Sequence, residues 1–264
     1  VTTPCVLVFA GLDPSGGAGI AADIGAIAAQ GAHALPVVTA LTVQDNNRVH
    51  EVVPVNTALL ARQAAVLVER FAVKAVKIGI PGSRANAEAI AAVLALLRAR
   101  DPALPVVLDP VLASGHGDLL GHGDALHALA PLLALATVLV PNLPEAGRIG
   151  PLPGAHVLVT GGHGAGDAVR NDWHGAGGEA RSWSWPRLAG QFHGSGCTLA
   201  AAIAARLARG DGVEQALERA QAYCHAALAQ SFAIGPGQRI PRRQPAFETI
   251  PFETPHPTTG AMQP

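Results

Sequence analysis

Short valine-rich apolar runs alternate with longer alanine-rich stretches of helical period along most of this chain, and that alternation restricts the fold more than any other feature. Strands that are apolar on both faces belong to buried parallel sheets, and parallel neighbours require crossover helices between them. The runs predict strands over 5–10, 33–41, 74–79, 105–109, 136–140 and 155–160. They predict helices over 19–30, 56–70, 84–100, 121–131, 143–149, 195–209 and 213–230, with Asn56 and Ser83 placed as N-caps. Residues 167–187 break the pattern: Trp173, Trp183 and Trp185 alternate with polar residues around Gly175-Ala176-Gly177-Gly178, which predicts an antiparallel hairpin at a sheet edge. The expected architecture is α/β, a mostly parallel central sheet with helices on both faces and that short edge hairpin. It occupies one domain over 1–235, and the proline-rich residues 236–264 lack periodicity and read as an extended or disordered tail.

Hydrophobic residues make up 49% of the chain but aromatics only 4%, so the core must be built from small side chains that let helices lie close on the sheet. The net charge is -1, and no basic block is interleaved with aromatics as a nucleic-acid surface requires. The longest apolar stretch, Leu129 to Val140, is interrupted by Pro131 and is too short to span a bilayer, so no membrane partner is expected. The start of the chain lacks the basic segment and cleavage site of a signal peptide, which predicts a cytoplasmic location. Cys5, Cys197 and Cys224 are odd in number and without CxxC spacing, arguing against a disulfide framework and a structural zinc site.

The run His193-Gly194-Ser195-Gly196-Cys197-Thr198 opens the predicted helix at 195–209. A glycine turn at a helix start leaves backbone N–H groups unpaired and aims the positive dipole end outward, so phosphate is its natural occupant. The same field favours thiolate over thiol at Cys197, making it a candidate base or nucleophile; a small buried cysteine at a tight turn is the alternative. A second glycine loop, Gly11-Leu12-Asp13-Pro14-Ser15-Gly16-Gly17-Ala18-Gly19, follows the first strand, with Asp23 one turn into the next helix. Neither GxGxxG nor GxxxxGK[ST] occurs, so the loop marks a small-molecule pocket at a strand's carboxyl end instead. Asp109-Pro110 and Asn142-Leu143-Pro144-Glu145 sit at further strand ends, where carboxylate and amide oxygens could hold Mg²⁺ through its waters, although helix capping explains Asn142 almost as well. Thr160-Gly161-Gly162-His163 ends the sixth predicted strand, and two facing glycine turns could enclose a nucleotide triphosphate.

Five segments in order, Gly11 to Asp23, Thr39-Ala40-Leu41-Thr42-Val43-Gln44, Lys77-Ile78-Gly79, Pro141 to Ala146 and His193 to Thr198, resemble the hydroxymethylpyrimidine/phosphomethylpyrimidine kinases of thiamine biosynthesis, which have a ribokinase-like three-layer fold. The resemblance covers roughly residues 5–230, and Cys197 separates this branch from sugar kinases with aspartate there. It implies ATP and Mg²⁺, and phosphorylation first of 4-amino-5-hydroxymethyl-2-methylpyrimidine and then of its monophosphate. It further implies that Asp23, Gln44 and Gly11 hold the aminopyrimidine, that Cys197 is the base, and that the N–H groups of Gly194, Ser195, Gly196 and Cys197 hold the transferring phosphoryl group. Thr160 and Gly162 would lie at the nucleotide, and Asp109, Asn142 and Glu145 at Mg²⁺. Pyridoxal kinase activity and a non-catalytic pyrimidine binder are the alternatives.

The chain departs from the family pattern at three places. Thr160 stands where lysine usually precedes the paired glycines, and Lys74 and Lys77 are the chain's only lysines. The segment Ala113-Ser114-Gly115-His116-Gly117-Asp118 replaces the usual lysine-serine-glycine. Few residues separate Glu145 from Val157, so the crossover there is compressed, and a second subunit in a homodimer could cover the sheet face it leaves thin.

Overall fold

The computed structural model describes residues 2–112 and 125–244. Its elements are β1 (Cys5–Leu12), α1 (Gly19–Ala29), β2 (His33–Gln44), β3 (Val49–Pro54), α2 (Thr57–Arg70), β4 (Val73–Ile78), α3 (Arg84–Arg100), β5 (Val106–Leu108), α4 (Ala125–Leu133), β6 (Val138–Leu139), α5 (Leu143–Ile149), β7 (His156–Val159), β8 (Ala168–His174), β9 (Ala180–Pro186), α6 (Ser195–Ala208) and α7 (Val213–Ala229). They build one sheet in the order β3-β2-β1-β4-β5-β6-β7-β8-β9. The strands from β2 through β7 in that order are parallel, whereas β3, β8 and β9 are antiparallel to their neighbours.

The two-residue period of β1 sorts its side chains between two cores. Val6, Val8 and Ala10 face α1, α6 and α7, while Leu7 and Phe9 face α2, α3 and α4. The small-residue composition acts through α6, where Ala200, Ala201, Ala202, Ala204 and Ala205 are all fully buried. This helix packs against both α1 and α7 and so carries its glycine-rich start to the carboxyl ends of the central strands.

Both sheet edges are antiparallel, not only the expected hairpin of β8 and β9. The reading of the second strand as 33–41 stops short: β2 continues to Gln44 and turns into β3, which the sequence did not suggest. Beyond Ala40 the strand alternates exposed apolar residues, Leu41 and Val43, with Thr42 and Gln44, so it lacks the continuous apolar run used to recognise buried strands. Asp45 Oδ1 closes the turn by accepting from the N–H groups of Asn47 at 2.7 Å and Arg48 at 2.8 Å.

Trp173 and Trp183 are buried in the core beside α6, as hairpin packing requires. The compressed crossover is visible as a seven-residue α5. Residues 236–244, expected as part of a tail, bend at 236–238 and pack back onto the domain, with Gln238, Ile240 and Arg243 buried. The boundary placed at 235 falls in the exposed stretch 232–237, just before the chain packs back onto the domain at Gln238. Residues 245–264, and the altered 113–118 segment, lie outside the described residues.

Candidate active site

The sheet order changes direction between β1 and β4, and ligands of open α/β sheets bind beyond the carboxyl ends of strands at such a point. A cleft of about 240 Å³ opens there, lined by Gly11 after β1, Gly79 after β4, Asp109 after β5, Asn142 after β6 and Thr160 after β7. Gln44 from the β2–β3 hairpin and the whole turn Gly194-Ser195-Gly196-Cys197 complete it. Gly194 adopts φ 76, and a Cβ there would collide with Gly17 O, so only glycine lets the two glycine loops touch.

Cys197 faces this cleft with Asp109 and Lys77 around it. Gly19 N–H and Lys77 favour the thiolate, while the carboxylates of Asp109 and Asp23 oppose it. The helix-start field led the sequence to suggest a favoured thiolate. Burial reverses that, pushing the thiol up to about 12 against the opposing charge of Lys77. Burial likewise raises Asp109 to about 6, with Lys77 opposing, and leaves its Oδ2 without a partner.

Asp23, expected to contact the substrate, lies behind the cleft wall. It is fully buried, does not line the cleft, and bonds through Oδ2 to Lys77 Nζ at 2.8 Å. The cause is the pleat of β4, which turns Ala75 and Lys77 to the α1 side and Val76 and Ile78 to the other. Burial would lower the Lys77 pKa, but the charges of Asp23, Cys197 and Asp109 outweigh it and keep the ammonium protonated.

Asn142 and Glu145 both line the cleft, yet they serve first as a capping box for α5. Asn142 Oδ1 accepts from Glu145 N–H, and Glu145 Oε2 accepts from Asn142 N–H, each at 2.9 Å. Glu145 Oε1 also accepts from Leu112 N–H at 3.3 Å. Burial, aided by the nearby Asp109 charge, raises Glu145 to about 7. Among the described residues no group of three or more His, Cys, Asp or Glu is placed to hold a metal. Two raised carboxylates and one orphaned oxygen at a shared cleft nevertheless fit a hard cation whose other ligands are water or phosphate.

His193 and Asp13 were quoted in the motifs but not assigned a role. They meet at 2.7 Å on the cleft wall, His193 Nε2 to Asp13 Oδ2, from positions that the sequence separates too widely to pair. Burial works to raise Asp13, but hydrogen bonds from His193 and Ser15 outweigh it and hold the carboxyl below its usual value. Asp13 Oδ2 also accepts from Ala18 N–H at 2.7 Å, which shapes the first glycine loop.

A second cleft of about 440 Å³ adjoins the first and shares His163, Phe192, Ser195 and Gln238 with it. Gly162 lies here rather than in the first cleft, with its carbonyl accepting from Arg187 Nη1 at 2.9 Å. Trp185 lines the wall and stacks on His225 at 5.3 Å between centroids. No helix among the described residues is long and apolar enough to cross a membrane.

The sequence profile of phosphomethylpyrimidine kinase matches residues 13–153 and 151–241. The hydroxymethylpyrimidine/phosphomethylpyrimidine kinase of Streptomyces coelicolor is 37% identical over 260 residues, covering 90% of this chain and 93% of the relative. The enzyme of the same name from Rhizobium meliloti is 36% identical, covering 89% and 94%. Among solved structures, an ADP complex of Bacillus subtilis pyridoxal kinase superposes with a TM-score of 0.81 at 27% identity, covering 92% of this chain and 98% of that one. Phosphomethylpyrimidine kinase from Clostridium difficile gives 0.68 at 27% identity, covering 84% and 98%. With its profile matched across both glycine loops and its sheet shared with these kinases, the chain belongs to the phosphomethylpyrimidine kinase family of phosphotransferases.

Proposed function

We propose that this protein transfers the γ-phosphoryl group of ATP to the hydroxymethyl oxygen of 4-amino-5-hydroxymethyl-2-methylpyrimidine, and then phosphorylates the resulting monophosphate for thiamine biosynthesis. The observation that carries this reading is that Cys197, the open amides of its turn and Gln44 share one cleft. The Gln44 amide supplies both a donor and an acceptor to an aminopyrimidine edge. Gly11 keeps that wall shallow, since a Cβ there would press on Ile80 at 2.7 Å.

In the first transfer the new O–P bond forms as the bond to the ADP oxygen breaks, and the hydroxyl proton passes to Cys197 Sγ. Burial leaves Cys197 chiefly as the thiol, so the base is the thiolate formed once that proton has left to solvent, a form that Lys77 and Gly19 N–H favour against burial. The N–H groups of Gly194 to Cys197 stabilise charge on the phosphoryl oxygens. Asp109 and Glu145 would hold Mg²⁺, which supplies positive charge to the polyphosphate when bound. The nucleoside fits the second cleft, where Trp185 offers an aromatic wall and the shared Ser195 leads to the turn.

Incubation with ATP, Mg²⁺ and the hydroxymethylpyrimidine should yield ADP with the mono- and then the diphosphate; no phosphorylated product would refute the reading. Pyridoxal is the second substrate to test, because the pyridoxal kinase superposition has the higher TM-score of the two reported structures. Relative kcat/KM on the two hydroxymethyl compounds decides between them.

A further inference from the structure

We propose that Arg243 is a positioning residue for phosphoryl transfer, carried by the C-terminal segment to the back of the Gly194–Cys197 turn, where it locks that turn to the first glycine loop. The inference rests on reading that turn as the phosphoryl site.

After α7 the chain folds back as a strap along the two clefts. Phe232 and Ile240 pair, Arg239 N–H donates to Gln191 O, and His193 N–H donates to Arg239 O, each of the latter bonds at 2.9 Å. On its other side Asn46 Nδ2, at the tip of the β2–β3 hairpin, donates to Pro236 O at 3.0 Å and Gln238 O at 2.8 Å. The strap therefore touches the segment that enters the anion turn and the hairpin that carries Gln44.

It ends with Arg243 held by its own backbone. Tyr223 Oη–H donates to Arg243 O at 2.9 Å, and the adjacent Arg242 N–H donates to Ala227 O at 2.9 Å. The guanidinium, on a residue only 9% exposed, then reaches three neutral oxygens. Nε donates to Thr198 Oγ1 at 2.9 Å, and Nη2 donates to Gly17 O at 2.5 Å and to Gly194 O at 3.5 Å. Thr198 Oγ1 in turn donates to Gly194 O at 2.7 Å.

Two features separate this arrangement from ordinary packing. First, the two loop carbonyls, Gly17 O and Gly194 O, converge on one nitrogen, Arg243 Nη2, and a cation between them offsets their repulsion. Binding the carbonyls from behind leaves the amides of the turn free toward the cleft. Second, a buried cation hydrogen-bonded only to neutral acceptors is costly, and the one carboxylate that acts on Arg243 through space, Asp23, is already bonded to Lys77. An anion on the turn supplies the negative charge that the neutral oxygens around Arg243 lack. Arg243 does not line the cleft, so it acts through the turn and not by touching substrate.

The test uses the full chain and the variants Arg243→Met, Arg243→Lys and Arg243→Ala. Calorimetry with inorganic tripolyphosphate reads the turn without turnover, and kinetics with ATP and the hydroxymethylpyrimidine read transfer. Arg243→Met should lower kcat by about 10²-fold, the scale of a small misplacement at a reacting centre, with KM for the pyrimidine nearly unchanged. Tripolyphosphate affinity should fall by about tenfold. Arg243→Lys should recover part of both, and added guanidinium should partly restore Arg243→Ala where sodium chloride does not. Met and Lys variants with wild-type kcat and tripolyphosphate affinity overturn the proposal, as does an Ala variant whose loss guanidinium leaves untouched. Should Arg243→Met not fold, the Lys variant and the guanidinium arm decide. A wild-type protein that binds tripolyphosphate through Arg243 but phosphorylates neither hydroxymethyl compound would sink the kinase reading alone.

Discussion

Lys77 Nζ on β4 lies 2.8 Å from Asp23 Oδ2 on α1, and neither side chain is exposed to solvent. Such a pair contributes little net stability over an apolar pair of similar volume, but removing one member strands the other as an uncompensated buried charge. Asp23→Leu and Lys77→Met should each destabilise the fold by about 3–5 kcal/mol, and the double variant should regain much of that loss. Urea denaturation of the three proteins checks this. Singles that unfold at the wild-type midpoint would show that the pair carries no such penalty.

If Cys197 is the base proposed above, the two phosphorylations make different demands on it. A neutral hydroxyl needs its proton removed as it attacks, whereas a phosphate acceptor is already ionised near neutral pH because its second pKa is about 6. Cys197→Ser should therefore slow the first transfer by about 10²-fold or more and the second much less, measured as kcat on the alcohol and on the monophosphate. Equal losses on both would assign the sulfur to geometry.

Glu145 gives the cleft a pH signature. Its folded pKa of about 7 lies above the ordinary 4.5, so the folded state holds the proton more tightly than the unfolded state and stability falls as pH rises between those values. Asp109, raised to about 6, has the same sign. His156, which burial holds below its usual value, has the opposite sign and is common to wild type and variant. In EDTA, Tm of the wild type minus Tm of Glu145→Gln should become more negative from pH 5 to pH 8, glutamine being an accepted capping-box partner. A constant difference would remove the raised carboxyl from the account.

What the sequence showed and hid follows from the range of the physics involved. The apolar runs of β1 and β4 and the alanines of α6 are local signals, and they were enough for the layers and for the place of the anion turn. The Asp23 carboxylate looked free because its partner is a strand lysine 54 residues away. Asp13 and His193 meet across 180 residues and were invisible as a pair for the same reason. At Cys197 the helix-start field was legible, but the larger opposing effect, burial, exists only once the chain is packed. The strap from Pro236 to Arg243 has no apolar period at all, because hydrogen bonds to main-chain carbonyls hold it in place.

Gly194 and Gly16 both have positive φ, 76 and 73, but differ in what surrounds them. A Cβ on Gly16 meets nothing within 4 Å, while one on Gly194 runs into the first glycine loop. Gly16→Ala should cost only the left-handed backbone penalty of about 1–2 kcal/mol. Gly194→Ala should cost more and also raise KM for ATP, because separating the loops moves the turn amides. Equal stability and equal KM in the two variants would contradict the loop contact.

Asn171 joins the wall of the second cleft, proposed above for the nucleotide, to the core. Its Oδ1 accepts from Gly161 N–H at 3.0 Å and its Nδ2 donates to Gln221 Oε1 at 2.9 Å, an oxygen that also accepts from Trp185 Nε1 at 3.2 Å. Gly161 has no room to move away, because a Cβ there would already overlap the Arg170 backbone. Asn171→Leu leaves that buried N–H unpaired, which costs about 1–3 kcal/mol, and frees the loop that carries Gly162. KM for ATP should rise while KM for the hydroxymethylpyrimidine stays near wild type, since Asn171 lines only the second cleft. A rise confined to the pyrimidine KM would place the nucleotide elsewhere.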